Sequence, residues 1–560
     1  MVSKIEILDV GGKGVIIGAE VVVKSLKSQG VDLMFGVVGI PITPIAIACR
    51  RNGVKYIGMR NEQAASYAAG AAGYMLGKPA ACLVVSGPGL IHGLAGIGNA
   101  WVNNWPMILI SGCEEFNQDQ MGAFQAGPQE KTVNPFVKFS GRPASVERIP
   151  YFIEKACRVS VYGRPGPTFV SIAANLISGQ IQESKLVYPP QYAPPPRSLA
   201  DPVFVEKAVS AILSAKRPLI IVGKGAAYAR AEHESLQIVE ETQIPFLPTP
   251  MGKGVIPDDH PLSIAPARSL ALKADVILLL GARLNWQMHY GSGVRFDPHV
   301  KFIQIDICPE ELGNNVQPYV ALFGDLSSVI SQLLTSLRRE KYRLNQPQWT
   351  DSLKARVQVN VIKQNAKLAV DKNPMSYERV FKDVRDVLPR DCILVSEGAN
   401  TMDIGRTILP NFEARSRLDA GTWGTMGVGM GFAIAAAIVH PNKKIVAVEG
   451  DSAFGFSSAE LEAACRHNLN ICVIIINNNG VYRGETNVPP DIYDAPPTSL
   501  TANAHYELIA DAFGGKGFFV NTYQELLPTL KEAMSLTVPT VVNVMILPNS
   551  EGREADHSKL

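Results

Sequence analysis

Ten short runs of valine, isoleucine and leucine recur along this chain, and most of them do not alternate with polar residues. They cover residues 81–85, 107–111, 168–172, 218–222, 275–281, 301–307, 392–396, 444–449, 471–476 and 540–546. A strand with one wet face alternates, whereas a strand covered by helices on both faces does not. Helical stretches separate many of the runs, so the pattern predicts an α/β protein built on parallel sheets. At 560 residues the chain is too long for one core, and two to four domains are expected. Residues 188–196 are proline-rich and read as an extended connector. A charged, strand-poor stretch around 340–375, which ends in Asn373-Pro374, reads as a second break. Three α/β domains follow, over 1–187, 198–345 and 370–560.

Composition narrows the function classes. The chain is 46% hydrophobic and 19% charged, which suits a globular α/β protein and not a disordered one. A net charge of +2 implies no nucleic-acid or anionic-membrane partner. No apolar run approaches the ~20 residues that span a bilayer, and 432–439 reads as a buried helix. The eight cysteines sit mostly in apolar runs and form no CxxC pair, as expected of reduced core residues inside a cell. The chain ends in Ser558-Lys559-Leu560, a peroxisomal address at a free carboxyl end.

The chemistry begins with Glu449-Gly450-Asp451-Ser452, followed after about 25 residues by Asn478-Asn479-Gly480. The first group ends run 444–449 and the second ends run 471–476, with a helical stretch, 458–467, between them. Parallel neighbours would bring both carboxyl ends side by side. Oxygen-only ligands suit Mg²⁺, which usually completes its shell with phosphate oxygens. Asp451 offers a carboxylate, Asn478 an amide oxygen and Gly480 a carbonyl. The small Ser452 and Ala453 let phosphate oxygens reach the backbone amides. The same residues also suit ordinary strand-end turns.

The first domain carries a second constellation. Glu62 opens a helix of small residues, Ala64 to Met75, that can pack closely against another backbone. Such a glutamate commonly complements the helix dipole in water. Turned into a packed interface, it can instead share a proton with a basic ring nitrogen. The turns around Ile40-Pro41 and Ser86-Gly87-Pro88-Gly89 belong at the carboxyl edge of the sheet, where α/β proteins bind ligands.

Together these residues resemble the thiamine diphosphate-dependent enzymes of the decarboxylase and acetolactate synthase type. The resemblance covers nearly the whole chain and implies three doubly wound parallel-sheet domains. These would be a pyrimidine-binding domain, a central nucleotide- or CoA-binding domain, and a diphosphate- and Mg²⁺-binding domain with a C-terminal tail. It implies that Asp451, Asn478 and Gly480 hold the metal and that Glu62 is the catalytic glutamate. Met426 would bend the cofactor, the Gly424 carbonyl would bond its amino group, and Ile40, Pro41, Ser86, Ser452 and Ala453 would line its site. Glu62 would come from one subunit and the metal site from its partner, giving a dimer or tetramer.

Two branches that act on coenzyme A thioesters are most similar: 2-hydroxyacyl-CoA lyases and oxalyl-CoA decarboxylases. Lys224, Arg283, Asp306, Arg164 and the tail residue Arg553 would then meet the acyl-CoA, with ADP a further candidate ligand and no FAD expected. Phe124-Gln125 is similar to the lyase pattern, where the decarboxylases carry Tyr-Glu. The expected reaction is cleavage of a 2-hydroxyacyl-CoA to formyl-CoA and an aldehyde one carbon shorter. The alternatives are oxalyl-CoA decarboxylation and a non-catalytic CoA- or nucleotide-binding homologue. The expected location is the peroxisome matrix, reached through the import receptor, alongside a cytoplasmic pool.

Overall fold

The computed structural model describes residues 14–486, 489, 491 and 493–548. Arg553 and Ser558-Lys559-Leu560 lie outside the described residues. The chain divides into two compact units, Met1–Pro195 and Pro196–Leu560.

In the first unit, six parallel strands lie in the order Lys55–Gly58, Leu33–Gly36, Ala80–Val84, Met107–Cys113, Pro167–Ala173, Ser140–Gly141. The three strands Ala80–Val84, Met107–Cys113 and Pro167–Ala173 are buried at every position, which explains their unbroken apolar runs. A small antiparallel pair, Val15–Ile17 with Gln180–Gln182, ties the ends of the unit together. The proline-rich connector is held against the same unit by buried Gln29. Its amide donates to the Pro189 carbonyl at 3.1 Å, and its carbonyl oxygen accepts from the Tyr192 amide.

The second unit contains two sheets. One has the order Phe246–Pro248, Pro218–Val222, Val276–Leu280, Lys301–Asp306, Val320–Phe323. The other has the order Arg417–Asp419, Ile393–Glu397, Ile445–Gly450, Ile471–Asn477, Thr540–Met545, Lys516–Val520. All pairings in both sheets are parallel. The stretch at 340–375 lies between the two sheets and is mostly helical. Residues Pro347–Leu368 form one long helix. Trp349 and Leu353 are buried in the core beside the five-stranded sheet, and the Trp349 indole donates to the Pro218 carbonyl at 3.1 Å. Leu368 enters the core of the six-stranded sheet. A few anchoring apolar residues thus tie a mostly polar helix to two cores, and the charged surface that suggested a linker is its solvent face.

Counted in chain order within each sheet, both six-stranded sheets have the strand order 2-1-3-4-6-5, and the central sheet has 2-1-3-4-5. In each, the topology reverses between strands 1 and 3. Ligand crevices form at that point, outside the carboxyl ends. The three reversal points are Gly36 beside Leu83, Val222 beside Leu280, and Glu397 beside Glu449.

The small-residue helix spans Glu62–Leu76, capped by the Asn61 side chain on the Gln63 amide at 2.7 Å. Its alanines and glycines let backbone meet backbone. A Cβ at Gly73 would lie 1.8 Å from the Pro106 carbonyl oxygen, whereas one at Gly70 would have nothing nearer than 3.6 Å. Gly73→Ala should therefore cost about 1–3 kcal/mol by overpacking. Gly70→Ala should be neutral or stabilising by up to about 1 kcal/mol through helix propensity. Chemical denaturation of the two variants measures the contrast, and equal losses would contradict this packing.

Candidate active site

Asp451 and Asn478 stand where the spacing predicts. Strands Ile445–Gly450 and Ile471–Asn477 are paired neighbours with Gly450 opposite Ile476. The Asp451 carboxylate is buried and accepts from the Ser452 amide and the Gly480 amide, both at 2.9 Å. Burial pushes its pKa up to about 6, against the opposing pull of those backbone N–H groups. The Asn478 amide nitrogen donates to the Tyr377 hydroxyl and the Tyr482 carbonyl, each at 3.2 Å. That fixes the amide, and its buried oxygen receives no protein donor. A buried acceptor without a donor is costly, and a cation satisfies it. A shielded carboxylate, an orphaned amide oxygen and a neighbouring glycine carbonyl fit a hard cation with oxygen ligands. Ser452 and Ala453 lie in the short helix Asp451–Gly455 that follows.

The reversal point holds a feature that the sequence reading missed. Glu397 and Glu449 are register partners on adjacent strands, and both are fully buried. A Cβ on Gly429 would stand 2.3 Å from a Glu449 carboxylate oxygen and 2.8 Å from one of Glu397. Glu397 accepts from the backbone amides of Gly427 and of Gly429, the latter at 2.6 Å. Burial raises its pKa to about 7, in spite of those donors. Burial and the neighbouring Glu397 also push Glu449 well above the usual carboxylate range. The signal was visible as a glutamate ending run 444–449 and another directly after run 392–396.

Glu397 therefore ties down the far end of the stretch that carries Gly424 and Met426. The near end is held by buried Asp419, which accepts from the Gly421 amide at 3.0 Å. Burial would raise Asp419, but Arg406 and Arg417 outweigh it and hold the carboxyl below its ordinary value. Gly424 has φ +63, a conformation that favours glycine, and open space where a side chain would stand.

In the first unit, Glu62, Ser86 and Gln125 are brought to one neighbourhood. A Cβ on Gly89 would lie 3.4 Å from a Glu62 carboxylate oxygen, and one on Gly87 would lie 2.6 Å from the Gln125 carbonyl. Ser86 is buried in the same turn. The Gln125 side-chain oxygen is buried without a hydrogen-bond donor, and Phe124 beside it is exposed. Glu62 also meets His92, with Nδ1 3.1 Å from its carboxylate, a contact that the sequence gave no reason to expect. Pro41 packs against Gly112, while Ile40 is 74% exposed. Arg164 is different. It precedes strand Pro167–Ala173 and binds the Asn104 side chain at 2.8 Å, at the amino edge of the sheet and away from Glu62.

In the central sheet, Lys224, Arg283 and Asp306 follow three adjacent strands and share one carboxyl edge. The glycines between them allow the backbones to touch. A Cβ on Gly223 would lie 2.2 Å from the Gly281 carbonyl oxygen.

Three parallel-sheet domains, a buried oxygen donor set at one reversal point and a glutamate near another define a cofactor-dependent α/β enzyme. The chain belongs to the thiamine pyrophosphate enzyme family. Residues 16–133 match the N-terminal TPP binding domain, 205–333 the central domain and 397–544 the C-terminal TPP binding domain. It is 50% identical over 554 residues to 2-hydroxyacyl-CoA lyase 1 of Homo sapiens, with 96% of each chain covered. It is 44% identical over 547 residues to 2-hydroxyacyl-CoA lyase of Arabidopsis thaliana, covering 95% of this chain and 96% of the relative. Oxalyl-CoA decarboxylase of Escherichia coli (strain K12) is 41% identical over 549 residues, with 96% of each chain covered.

The buried acid pair sets a sign for pH. A carboxyl whose folded pKa lies above its unfolded value is more protonated in the native state, so stability falls as pH rises through that window. Glu449→Gln removes one of the two raised groups. Its stability relative to the parent should therefore improve from pH 5 to pH 8 in denaturant titrations. An unchanged difference across that range would contradict the assignment.

Proposed function

We propose that this chain is a thiamine diphosphate-dependent carbon–carbon lyase that cleaves a 2-hydroxyacyl-CoA to formyl-CoA and an aldehyde one carbon shorter. The observation that carries the choice of substrate is Gln125. It presents a neutral, donor-less amide oxygen beside the turn that adjoins Glu62, where a decarboxylase pattern would place a carboxylate. A neutral amide suits orienting a hydroxyl or aldehyde oxygen. The names of the human and Arabidopsis relatives support the same reading.

When bound, thiamine diphosphate supplies a nucleophilic carbon and an electron sink. Asp451, Asn478 and the Gly480 carbonyl would hold Mg²⁺ against the diphosphate, with Ser452 and Ala453 leaving room for its oxygens. Met426 and Gly424 would hold the bent form, and Ile40, Pro41 and Ser86 would line the pyrimidine end. Glu62 holds and moves a proton on its carboxylate. Lys224, Arg283 and Asp306 would receive the nucleotide end of the thioester, or ADP. Because the resemblance draws Glu62 and the metal site from different subunits, a dimer or tetramer is part of this reading. Read at a free carboxyl end, Ser558-Lys559-Leu560 adds delivery to peroxisomes.

Product analysis against a panel of 2-hydroxyacyl-CoAs and oxalyl-CoA, with thiamine diphosphate and Mg²⁺, tests the proposal. Aldehyde and formyl-CoA are expected; faster CO₂ release from oxalyl-CoA would replace it with the decarboxylase reading. Glu62→Gln should lower turnover about a hundredfold or more, the usual worth of acid–base catalysis, while calorimetry still detects cofactor binding. Full activity in that variant would remove Glu62 from its role.

Metal affinity should also follow Asp451. A cation must displace the proton that this carboxyl keeps up to about pH 6. Apparent Mg²⁺ affinity, measured with thiamine diphosphate present, should fall roughly tenfold per pH unit below that point and level off above it. A flat profile from pH 5 to pH 8 would count against Asp451 as the ligand.

A further inference from the structure

The stretch from Gly421 to Gly429 is framed by hydrogen bonds from two sides. Asp419 and Glu397 hold it from the six-stranded sheet. The second set of contacts comes from the five-stranded sheet. The Trp286 indole donates to the Thr422 carbonyl at 2.8 Å. Arg283 Nη2 lies 3.3 Å from the Thr422 hydroxyl, and the Gln287 amide nitrogen lies 3.4 Å from the Gly421 carbonyl. These residues continue directly from strand Val276–Leu280 and its Gly281 turn. That turn is one wall of the central crevice, beside Gly223 and Lys224. One short segment therefore borders the central crevice and grips the backbone two residues before Gly424.

We propose that Trp286 is a positioning residue for thiamine diphosphate: its indole N–H fixes Thr422, and with it the Gly424–Met426 turn, and so joins the crevice for the nucleotide end of the thioester to the cofactor. The inference rests on the reading that Gly424 and Met426 contact the cofactor. Its physical basis is geometric. A turn built on glycines at 421, 424 and 427, each with positive φ, has many backbone alternatives in solution. Fixing a carbonyl with a rigid, partly buried indole removes most of them. A ligand that orders residues 281–287 orders the turn as well. By thermodynamic reciprocity, coenzyme A and thiamine diphosphate then strengthen each other's binding.

Trp286→Phe keeps the ring and deletes the donor. In the full-length protein with Mg²⁺, thiamine diphosphate affinity by calorimetry should weaken roughly five- to tenfold, the scale of one hydrogen bond. Coenzyme A affinity measured without thiamine diphosphate should move less than about twofold, since the crevice side chains are intact, whereas with the cofactor present it should weaken by the coupling that is lost. Hydrogen exchange over residues 420–430 should slow on adding coenzyme A to the parent and not to the variant. Equal slowing in both, or unchanged cofactor affinity in the variant, overturns the proposal. A general loss of melting temperature with every constant shifting together overturns it too, because that is what a purely structural role gives. Met426→Ala separates the layers. If it weakens cofactor binding while Trp286→Phe does not, the turn reading stands and the positioning role falls. If Met426→Ala has no effect, the turn reading itself falls, and this proposal with it.

Discussion

The chemistry of the second unit depends on three strands lying side by side, Ile393–Glu397, Ile445–Gly450 and Ile471–Asn477. Their interiors are buried at every position up to the ends. A strand covered on both faces has no room for unpaired polar groups, because a buried one is expensive unless satisfied. Polar residues are therefore pushed to the carboxyl ends. There Glu397 and Glu449 meet at the reversal point, and Asp451 and Asn478 sit one strand further along. Breaking the register by one residue would turn Asp451 onto the other face and separate it from Gly480. The donor set and the acid pair are consequences of one alignment.

The acid pair shows how the scaffold makes a turn rigid without bulk. Gly429 must be glycine, since both carboxylates occupy the space of its Cβ. Glu397 in turn supplies acceptors for two amides of a glycine-rich segment that has little side-chain packing of its own. Hydrogen bonds to an ionised acceptor are stronger than neutral ones. Burial opposes ionisation of Glu397 while the backbone donors favour it, and the Glu397 charge together with burial opposes ionisation of Glu449. Placing the second carboxyl opposite makes the pair share its protons between two sites.

Much of the fold was legible because strand burial writes itself into composition. All ten apolar runs became strands, with ends displaced by a residue or two. The pairing of Asp451 with Gly480 was legible because a metal motif depends on spacing. The helix over Pro347–Leu368 was not, since only a few anchoring apolar residues among polar ones tie it to the cores. Glu449 was read as a strand end and Glu397 was not singled out, because nothing local reveals that two runs far apart are register partners. His92 and Trp286 were beyond reach for the same reason: each acts through a contact that only the tertiary structure creates. Arg164 lies in a Gly-Arg-Pro-Gly turn at the amino edge of its sheet, where it binds the Asn104 side chain.

The two six-stranded sheets share one strand order and place unlike residues at its reversal point. In the first, the crevice between Gly36 and Leu83 is bordered by turns, with Glu62 at the start of the helix after the neighbouring strand. In the other, carboxyl groups fill the crevice and the cation donors sit one strand further along. A flat, mostly apolar ring needs walls and one proton-sharing group. A diphosphate needs a cation, and the cation needs oxygen donors held in place. On the proposed reading the same topology would meet both demands, because its backbone is already satisfied within the sheet and each reversal point is free to be equipped by side chains alone. What distinguishes the two halves is therefore carried by a handful of residues, Glu62 on one side and Asp451 with Asn478 on the other.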